Sequence, residues 1–212
     1  GKQFDVFLPY LKNWEGDSIL KHSRAYANIP GEGFHLPPGL LHAPGTALTL
    51  ELQESSDVMA VMQARLEGLE IGKDLLAHHV PEVERKKDGD EMSVLKQVDW
   101  EANGDPWFYE NHHLEPTLIK ETETKGAREE WVWYNTRKFS GTRITITPGS
   151  SFDSKAAGVH GFFLWRGKGL VDGIEMEGQK VSRTKARDEI LVTHDKAING
   201  ITIKNTGKAD MV

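Results

Sequence analysis

Apolar and polar residues alternate with a period of two over much of the second half of the chain, as they do in half-buried β-strands. Glycine-rich turns separate the alternating runs, which cover residues 130–134, 139–147, 161–166, 189–192 and 201–203. One such turn, Asp172-Gly173, has the residue types of a tight hairpin. Short strands at near-regular spacing predict an antiparallel barrel or jelly roll in this half.

The first half carries a mixed pattern. Apolar residues recur at helical spacing over residues 4–24, which predicts helices there. Strands are predicted at residues 33–36 and 46–53, on either side of a sharp turn at Pro37-Pro38-Gly39. The turn is expected because the prolines lack an N–H group and glycine permits a positive φ. Residues 67–127 show no sustained period, and we expect short helices and loops there.

Composition narrows the classes of function. The 212 residues carry a formal net charge of −6 and no basic block, which argues against a nucleic-acid partner. The chain has no cysteine, so disulfides, thiolate metal sites and a cysteine nucleophile are excluded. No apolar run approaches the ~18 residues of a membrane span, and no signal peptide opens the chain. We therefore expect a cytoplasmic protein without a membrane or nucleic-acid partner.

One sequence motif includes the predicted turn, and a second motif follows it. Pro37-x-Gly39-x-x-His42, preceded by Gly31 and five further residues, resembles the second conserved motif of the cupin superfamily. His42 falls where that motif places its metal-binding histidine. His42-Ala43, followed by Gln53-Glu54-Ser55-Ser56-Asp57, is similar to the metal-histidine strand region of the type I phosphomannose isomerases.

The resemblance implies a mainly all-β chain of two jelly-roll cupin barrels, a bicupin, joined by short helices. Residues 1–66 would form the C-terminal part of a first barrel with leading helices, residues 67–127 an irregular linker, and residues 128–212 a second, degenerate barrel. The first cupin motif, a His-x-His and a Glu, is absent from residues 1–30. Because unpaired strand edges invite aggregation, we expect missing upstream residues or a partner chain, as in a homodimer, to complete the first barrel.

The second barrel has lost its metal ligands relative to the family pattern. No His-x-His occurs in residues 149–160, and Ile198 stands where the second motif has its histidine. The resemblance therefore implies that this barrel holds no metal. His160 and His194 remain weaker alternatives that could meet a polar ligand or an ion together with Asp153.

The resemblance places a divalent metal ion, which could be zinc, iron or manganese, in the first barrel. His42 is the expected ligand, and Glu51 is the expected co-ligand or orienting acceptor and the catalytic carboxylate. His35 is a weaker alternative because strand alternation places it opposite Phe34 and Leu36. Neighbours on a strand point to opposite faces, so we expect His78-His79 and His112-His113 to be surface or packing residues.

Three classes of function stay open. The resemblance implies a metal-dependent sugar or sugar-phosphate isomerase of the mannose-6-phosphate isomerase type. In such an enzyme the ion polarises the carbonyl while a carboxylate or histidine moves a proton. The alternative is a non-catalytic carbohydrate-binding or structural bicupin, and the third class is an iron-dependent cupin dioxygenase. The expected small-molecule partner is a sugar or a sugar phosphate, and fold alone cannot decide between the classes.

Overall fold

The computed structural model describes residues 2–16, 18–55, 58–178 and 187–212. The chain divides into two compact units, Gly1–His113 and Leu114–Val212, each with its own hydrophobic core. The described residues form thirteen β-strands, and only one of their α-helices is longer than seven residues. This confirms the predicted fold class, mainly β with short helices, although the described strands do not close into a barrel.

Short helices build most of the first unit. Helix α1 spans Lys2–Asn13 and is followed by a 3-10 turn at Ser18–His22. The later helices are α2 Asp74–Ala77, α3 Glu82–Asp88, α4 Asp90–Leu95, α5 Trp100–Asn103 and α6 Phe108–His112. The predicted apolar stripe of α1 faces the core of this unit, where Leu11, Leu76 and Leu95 are fully buried. Helical periodicity therefore located this core correctly.

The strands of the first unit are very short. Strand β1 is Gly33–Phe34, and it pairs with β4, His113–Leu114. Strands β2, Arg65–Leu66, and β3, Leu69–Glu70, form a hairpin. The strand predicted at residues 46–53 is not formed; these residues are exposed coil. A strand needs a neighbour for its backbone hydrogen bonds, and the described residues supply none there.

The sharp turn predicted at Pro37-Pro38-Gly39 is present. The N–H group of Leu40 donates to the Pro37 carbonyl at 3.3 Å, and Gly39 has a φ of +82°. A Cβ atom at Gly39 would lie 2.9 Å from the backbone nitrogen of Asp99. Glycine is therefore required at this position both by its backbone conformation and by the close approach of another segment.

Antiparallel strands build the second unit. They are β5 Thr117–Leu118, β6 Ala127–Trp133, β7 Gly141–Ile146, β8 Ser151–Ser154, β9 His160–Phe163, β10 Lys168–Val171, β11 Ile174–Glu177, β12 Glu189–Val192 and β13 Ile201–Asn205, with helix α7 at His194–Asn199. The sheets have the orders β5-β6-β7, β11-β10-β13-β8 and β9-β12. The predicted Asp172-Gly173 turn joins β10 to β11, with positive φ at both residues. Sequence alternation therefore located these strands well.

The core of the second unit follows the same alternation. On β13, Ile201, Ile203 and Asn205 are buried, while Thr202 and Lys204 are exposed. The buried amide of Asn205 is satisfied, because its Nδ2 donates to the Ile146 carbonyl at 2.8 Å and its Oδ1 accepts from a backbone N–H. Separately, none of the helices within the described ranges has the length and apolar character needed to cross a bilayer.

Candidate functional site

His42 lies just beyond the Pro37-Pro38-Gly39 turn in exposed coil. Its Nδ1 is 2.9 Å from the carbonyl oxygen of Leu40. Because a carbonyl oxygen only accepts hydrogen bonds, Nδ1 carries the hydrogen, and Nε2 is then the nitrogen with an available lone pair. A backbone acceptor that sets the tautomer in this way is common behind metal-binding histidines.

A side chain that sequence reasoning missed holds this turn in place. The Nδ2 of Asn103 donates to the carbonyl of Gly39 at 2.8 Å, and its Oδ1 accepts from the N–H of Leu41 at 2.8 Å. The N–H of Asp99 also donates to the Gly39 carbonyl, at 3.0 Å. The start and end of α5 therefore hold the backbone immediately before His42. No sequence signal links Asn103 to a turn 64 residues earlier.

The other candidate residues of the first unit, Glu51 and His35, make no hydrogen bond or ion pair with His42 within the described part of the chain. Glu51 is exposed in the coil and makes no hydrogen bond or ion pair within the described part of the chain. The backbone of His35 exchanges hydrogen bonds with His112, whose O accepts from the His35 N–H and whose Nδ1 donates to the His35 carbonyl, both at 2.8 Å. Ser56 and Asp57 of the family-like segment lie outside the described residues.

The weaker candidates of the second unit are placed on separate elements. His160 begins β9, and its Nδ1 donates to the Gly158 carbonyl at 3.0 Å. His194 begins α7 and is exposed, with its Nδ1 3.6 Å from an oxygen of Asp195. Asp153, on β8, accepts a hydrogen bond from the Thr202 hydroxyl at 2.7 Å. The structure shows no hydrogen bond or ion pair among these three candidates within its described ranges.

The residues present do not assemble a complete metal site. Across residues 2–16, 18–55, 58–178 and 187–212, no three His, Asp or Glu side chains are grouped so that they could hold an ion.

Titratable and aromatic side chains meet elsewhere in the first unit. We call this group the histidine–aromatic cluster; its members are Tyr26, Glu32, Phe34, Phe108, Tyr109, His112 and His113. One side of it comes from the stretch that precedes the Pro37 turn, and the other comes from α6 and the residue that follows it. The pairing of β1 with β4 brings these two segments together.

The centre of the cluster is a contact between a carboxylate and an imidazole. The Nε2 of His113 donates to the Glu32 carboxylate at 2.8 Å, and their side chains are 9% and 23% exposed. The Tyr109 hydroxyl lies 3.4 Å from the same Nε2. A carboxylate that orients a mostly buried imidazole is a recurrent arrangement in sites that transfer protons.

Aromatic side chains, two of them four residues before a histidine, surround this contact. Phe108 stacks on His112 with ring centroids 4.8 Å apart, and Tyr109 stacks on His113 at 4.4 Å. The members of each pair are four residues apart, the spacing that brings two side chains together on one helical face, and His113 is the residue directly after α6. Phe34 closes the other side, with its ring 5.3 Å from that of His113. The site therefore presents flat apolar surfaces beside an acid–base pair.

Asp105 secures the start of α6. One of its carboxylate oxygens accepts from the Trp107 N–H at 2.8 Å, and the other accepts from the Asn111 Nδ2 at 2.6 Å. These hydrogen bonds, the one from the Trp107 backbone first, hold the pKa of Asp105 below its ordinary value. The ionised carboxylate is therefore the form that supports the helix beneath the cluster.

The expectation that His112 and His113 serve surface or packing roles describes only part of their contacts. Both rings pack on aromatic side chains, but His113 also pairs with Glu32, which lies 81 residues earlier in the chain. The i,i+4 spacing of Tyr109 and His113 was the available signal for a shared helical face. It did not identify Glu32.

Comparisons with known proteins add little to these findings. The sequence matches no protein-family model and no curated protein. A solved structure titled "Crystal structure of CapF with inhibitor 3-isopropenyl-tropolone" matches with 13% identity and a TM-score of 0.32. The match covers 62% of this chain and 36% of that one, so this chain spans about a third of the CapF length. The mainly β fold class rests on the strands described above rather than on this weak likeness.

Proposed function

We propose that this chain is part of a protein that isomerises a sugar or sugar phosphate, as the cupin resemblance implies. The observation that carries the proposal is the hydrogen bond between Glu32 and His113 inside the histidine–aromatic cluster. Glu32 belongs to the same stretch, residues 31–42, that resembles the cupin motif. The resemblance and the acid–base pair thus point to one region of the chain.

Aldose–ketose isomerisation moves a proton between two adjacent carbons of the open-chain sugar. It needs a base beside the carbon that loses the proton and an acid beside the carbonyl oxygen. Glu32 is suited to take the proton and return it to the neighbouring carbon. The Nε2–H group of His113 donates to Glu32 at 2.8 Å, and a bound sugar would free this carboxylate by accepting the N–H at its carbonyl oxygen instead. A glutamate base and a separate histidine that polarises the carbonyl are a known way to divide these roles.

A metal contribution is a second part of this proposal. A divalent ion, if bound, would supply Lewis-acid chemistry. His42 is suited to bind such an ion through Nε2, since its Nδ1 is engaged by the Leu40 carbonyl. Glu51 is the proposed co-ligand, and further ligands would be needed to complete the site. Loss of bound zinc or manganese from a His42→Ala variant, measured by elemental analysis, would support this assignment; unchanged metal content would contradict it.

The non-catalytic carbohydrate-binding alternative also has an observation in its favour. Trp107, which directly precedes α6, is 64% exposed. Tyr26 is also exposed and stacks on Phe108 with ring centroids 5.6 Å apart. Exposed aromatic faces beside polar groups can stack on the apolar face of a sugar without any chemistry.

An isomerase screen with matched variants separates the two candidates. Sugars and their phosphates would be incubated with the protein, and interconversion of aldose and ketose would be measured. We expect Glu32→Gln to lower kcat by about 10²–10⁴-fold, the usual contribution of a general base. Glu110→Gln, an exposed carboxylate on α6, is the control and should have no effect.

The isomerase and the carbohydrate-binding alternative predict different results in this screen. Equal activity of the Glu32→Gln variant and the wild type would show that the pair is not catalytic. Sugar binding without turnover, with affinity lost in Trp107→Ala, would instead favour the carbohydrate-binding alternative.

A further inference from the structure

Two asparagines of this chain stand at the end of a helix, directly before a glycine. Asn103 ends α5 and is followed by Gly104, and Asn199 ends α7 and is followed by Gly200. Asparagine before glycine is the sequence most prone to spontaneous deamidation, because glycine has no side chain to hinder attack by its backbone nitrogen. The two pairs share this chemistry, and their surroundings determine how fast it proceeds.

Deamidation changes the hydrogen-bonding character of the side chain. The backbone nitrogen of the glycine attacks the asparagine Cγ and closes a succinimide ring, while the Cγ–Nδ2 bond breaks. The proton of the attacking nitrogen leaves with Nδ2 as ammonia. Water then opens the ring to give aspartate or isoaspartate. A neutral amide that donates hydrogen bonds is thereby replaced by an anionic carboxylate that only accepts them.

The backbone protects the two glycine nitrogens in the same way. The Gly104 N–H donates to the Trp100 carbonyl at 3.2 Å. The Gly200 N–H donates to the Lys196 carbonyl at 2.9 Å. Both bonds have the α-helical pattern, and each must break before the nitrogen can attack. The second pair is therefore a matched internal reference for the first.

The two asparagine side chains differ in their contacts. The Nδ2 of Asn103, a half-buried residue, donates to the carbonyls of Gly39 at 2.8 Å and Asp99 at 2.6 Å, and its Oδ1 accepts from the Leu41 N–H at 2.8 Å. Asn199 is exposed, and its side chain makes no hydrogen bond within the described part of the chain. The Asn103 amide must leave its hydrogen bonds before Cγ can be attacked, so its deamidation requires local opening of the turn at Gly39.

We infer that Asn103–Gly104 is a latent deamidation site whose reaction irreversibly releases the turn before His42. While the turn is closed, the amide is held and the reaction is suppressed. After conversion, the new carboxylate would face the carbonyl oxygens of Gly39 and Asp99, to which it cannot donate. The closed turn is then disfavoured, because acceptors would meet acceptors where hydrogen bonds had been.

The surroundings of the pair allow the reaction and confine its effect. Gly104 is exposed and lines an open depression together with Asp105 and Pro106, so water is at hand to hydrolyse the succinimide. The residues that bond the Asn103 side chain are not among the described core residues of this unit. Release of the turn should therefore leave the core of the first unit folded.

Peptide mapping by mass spectrometry tests the suppression in the unaltered protein. The chain would be kept in mildly alkaline buffer, with and without guanidinium chloride, and conversion would be followed at both sites. In the folded protein we expect Asn103 to deamidate at least about 10-fold more slowly than Asn199, because its side-chain hydrogen bonds must first be lost. The difference should disappear in denaturant. Equal rates in the folded protein, or a faster rate at Asn103, would overturn the inference.

Hydrogen exchange tests the release of the turn. Asn103→Asp carries the aspartate product, and Asn199→Asp is the matched control because it adds the same charge at the reference site. The amides to follow are those of Leu40, which closes the turn, and Asp99, which donates to the Gly39 carbonyl. Both should exchange about 10-fold faster in Asn103→Asp than in the wild type and at the wild-type rate in Asn199→Asp. Unchanged exchange in Asn103→Asp would also overturn the inference, and the wild-type kinetics test it without any variant.

Discussion

Residues 46–53 of the first unit, which we call the unpaired segment, and strand β13 of the second unit have the same alternating pattern but different structures. In β13, the side chains of Ile201 and Ile203 are 4% and 1% exposed, and the strand pairs with β8 on one side and β10 on the other. In the unpaired segment, Leu48 is 84% exposed. Alternation therefore shows that a segment can form a strand, and the presence of a neighbouring strand determines whether it does.

The largest expected effect comes from shortening a buried side chain in β13 and comparing it with an exposed side chain in the unpaired segment. Ile203→Ala should lower the free energy of unfolding by about 2–5 kcal/mol, because it leaves a cavity in a packed core. Leu48→Ala should change it by no more than about 0.5 kcal/mol, as exposed substitutions usually do. Urea denaturation, followed by circular dichroism, measures both. A large loss of stability in Leu48→Ala would mean that the segment is packed in solution.

A second test asks how rigidly the chain is held just before the unpaired segment. Gly39→Ala should destabilise the protein by about 1–2 kcal/mol, the cost of a positive φ for a residue with a Cβ atom. The contact with Asp99 should add to this cost. Gly33→Ala is the control because no atom lies within 4 Å of its added Cβ and its φ is not positive. Equal stability of the two variants would show that Asn103 and Asp99 do not hold the turn as tightly as their hydrogen bonds indicate.

The smallest expected effect is on the stability of the protein at acid pH and concerns Asp105. The pKa of Asp105 is lowered in the folded protein, so its ionised form contributes stability above the unfolded-state value of 3.8. This contribution is lost as pH falls from 3.8 through the lower folded-state pKa. Asp105→Asn should therefore reduce the drop in Tm between pH 6 and pH 3. Asp153→Asn, on β8 of the second unit, is the comparison variant. An identical pH profile for Asp105→Asn and the wild type would contradict the assignment.

Much of the local structure could be predicted from the sequence. The apolar stripe of α1, the antiparallel strands of the second unit and the Gly39 turn follow from side-chain periodicity and backbone sterics, which act over a few residues. The candidate site was only partly accessible in this way. The sequence predicted only surface or packing roles for His112 and His113, and it carried no information about a carboxylate 81 residues before His113.

The sequence by itself determined which residues can form helices, strands and turns, because those preferences depend on neighbours within one or two turns of the chain. Only the tertiary structure decided which segments meet. It brought Glu32 to His113 and Asn103 to the Gly39 turn, and it left residues 46–53 without a neighbouring strand. The physical reason is that long-range pairing depends on the path of the whole chain, and each such contact must repay the entropy lost when a long loop closes.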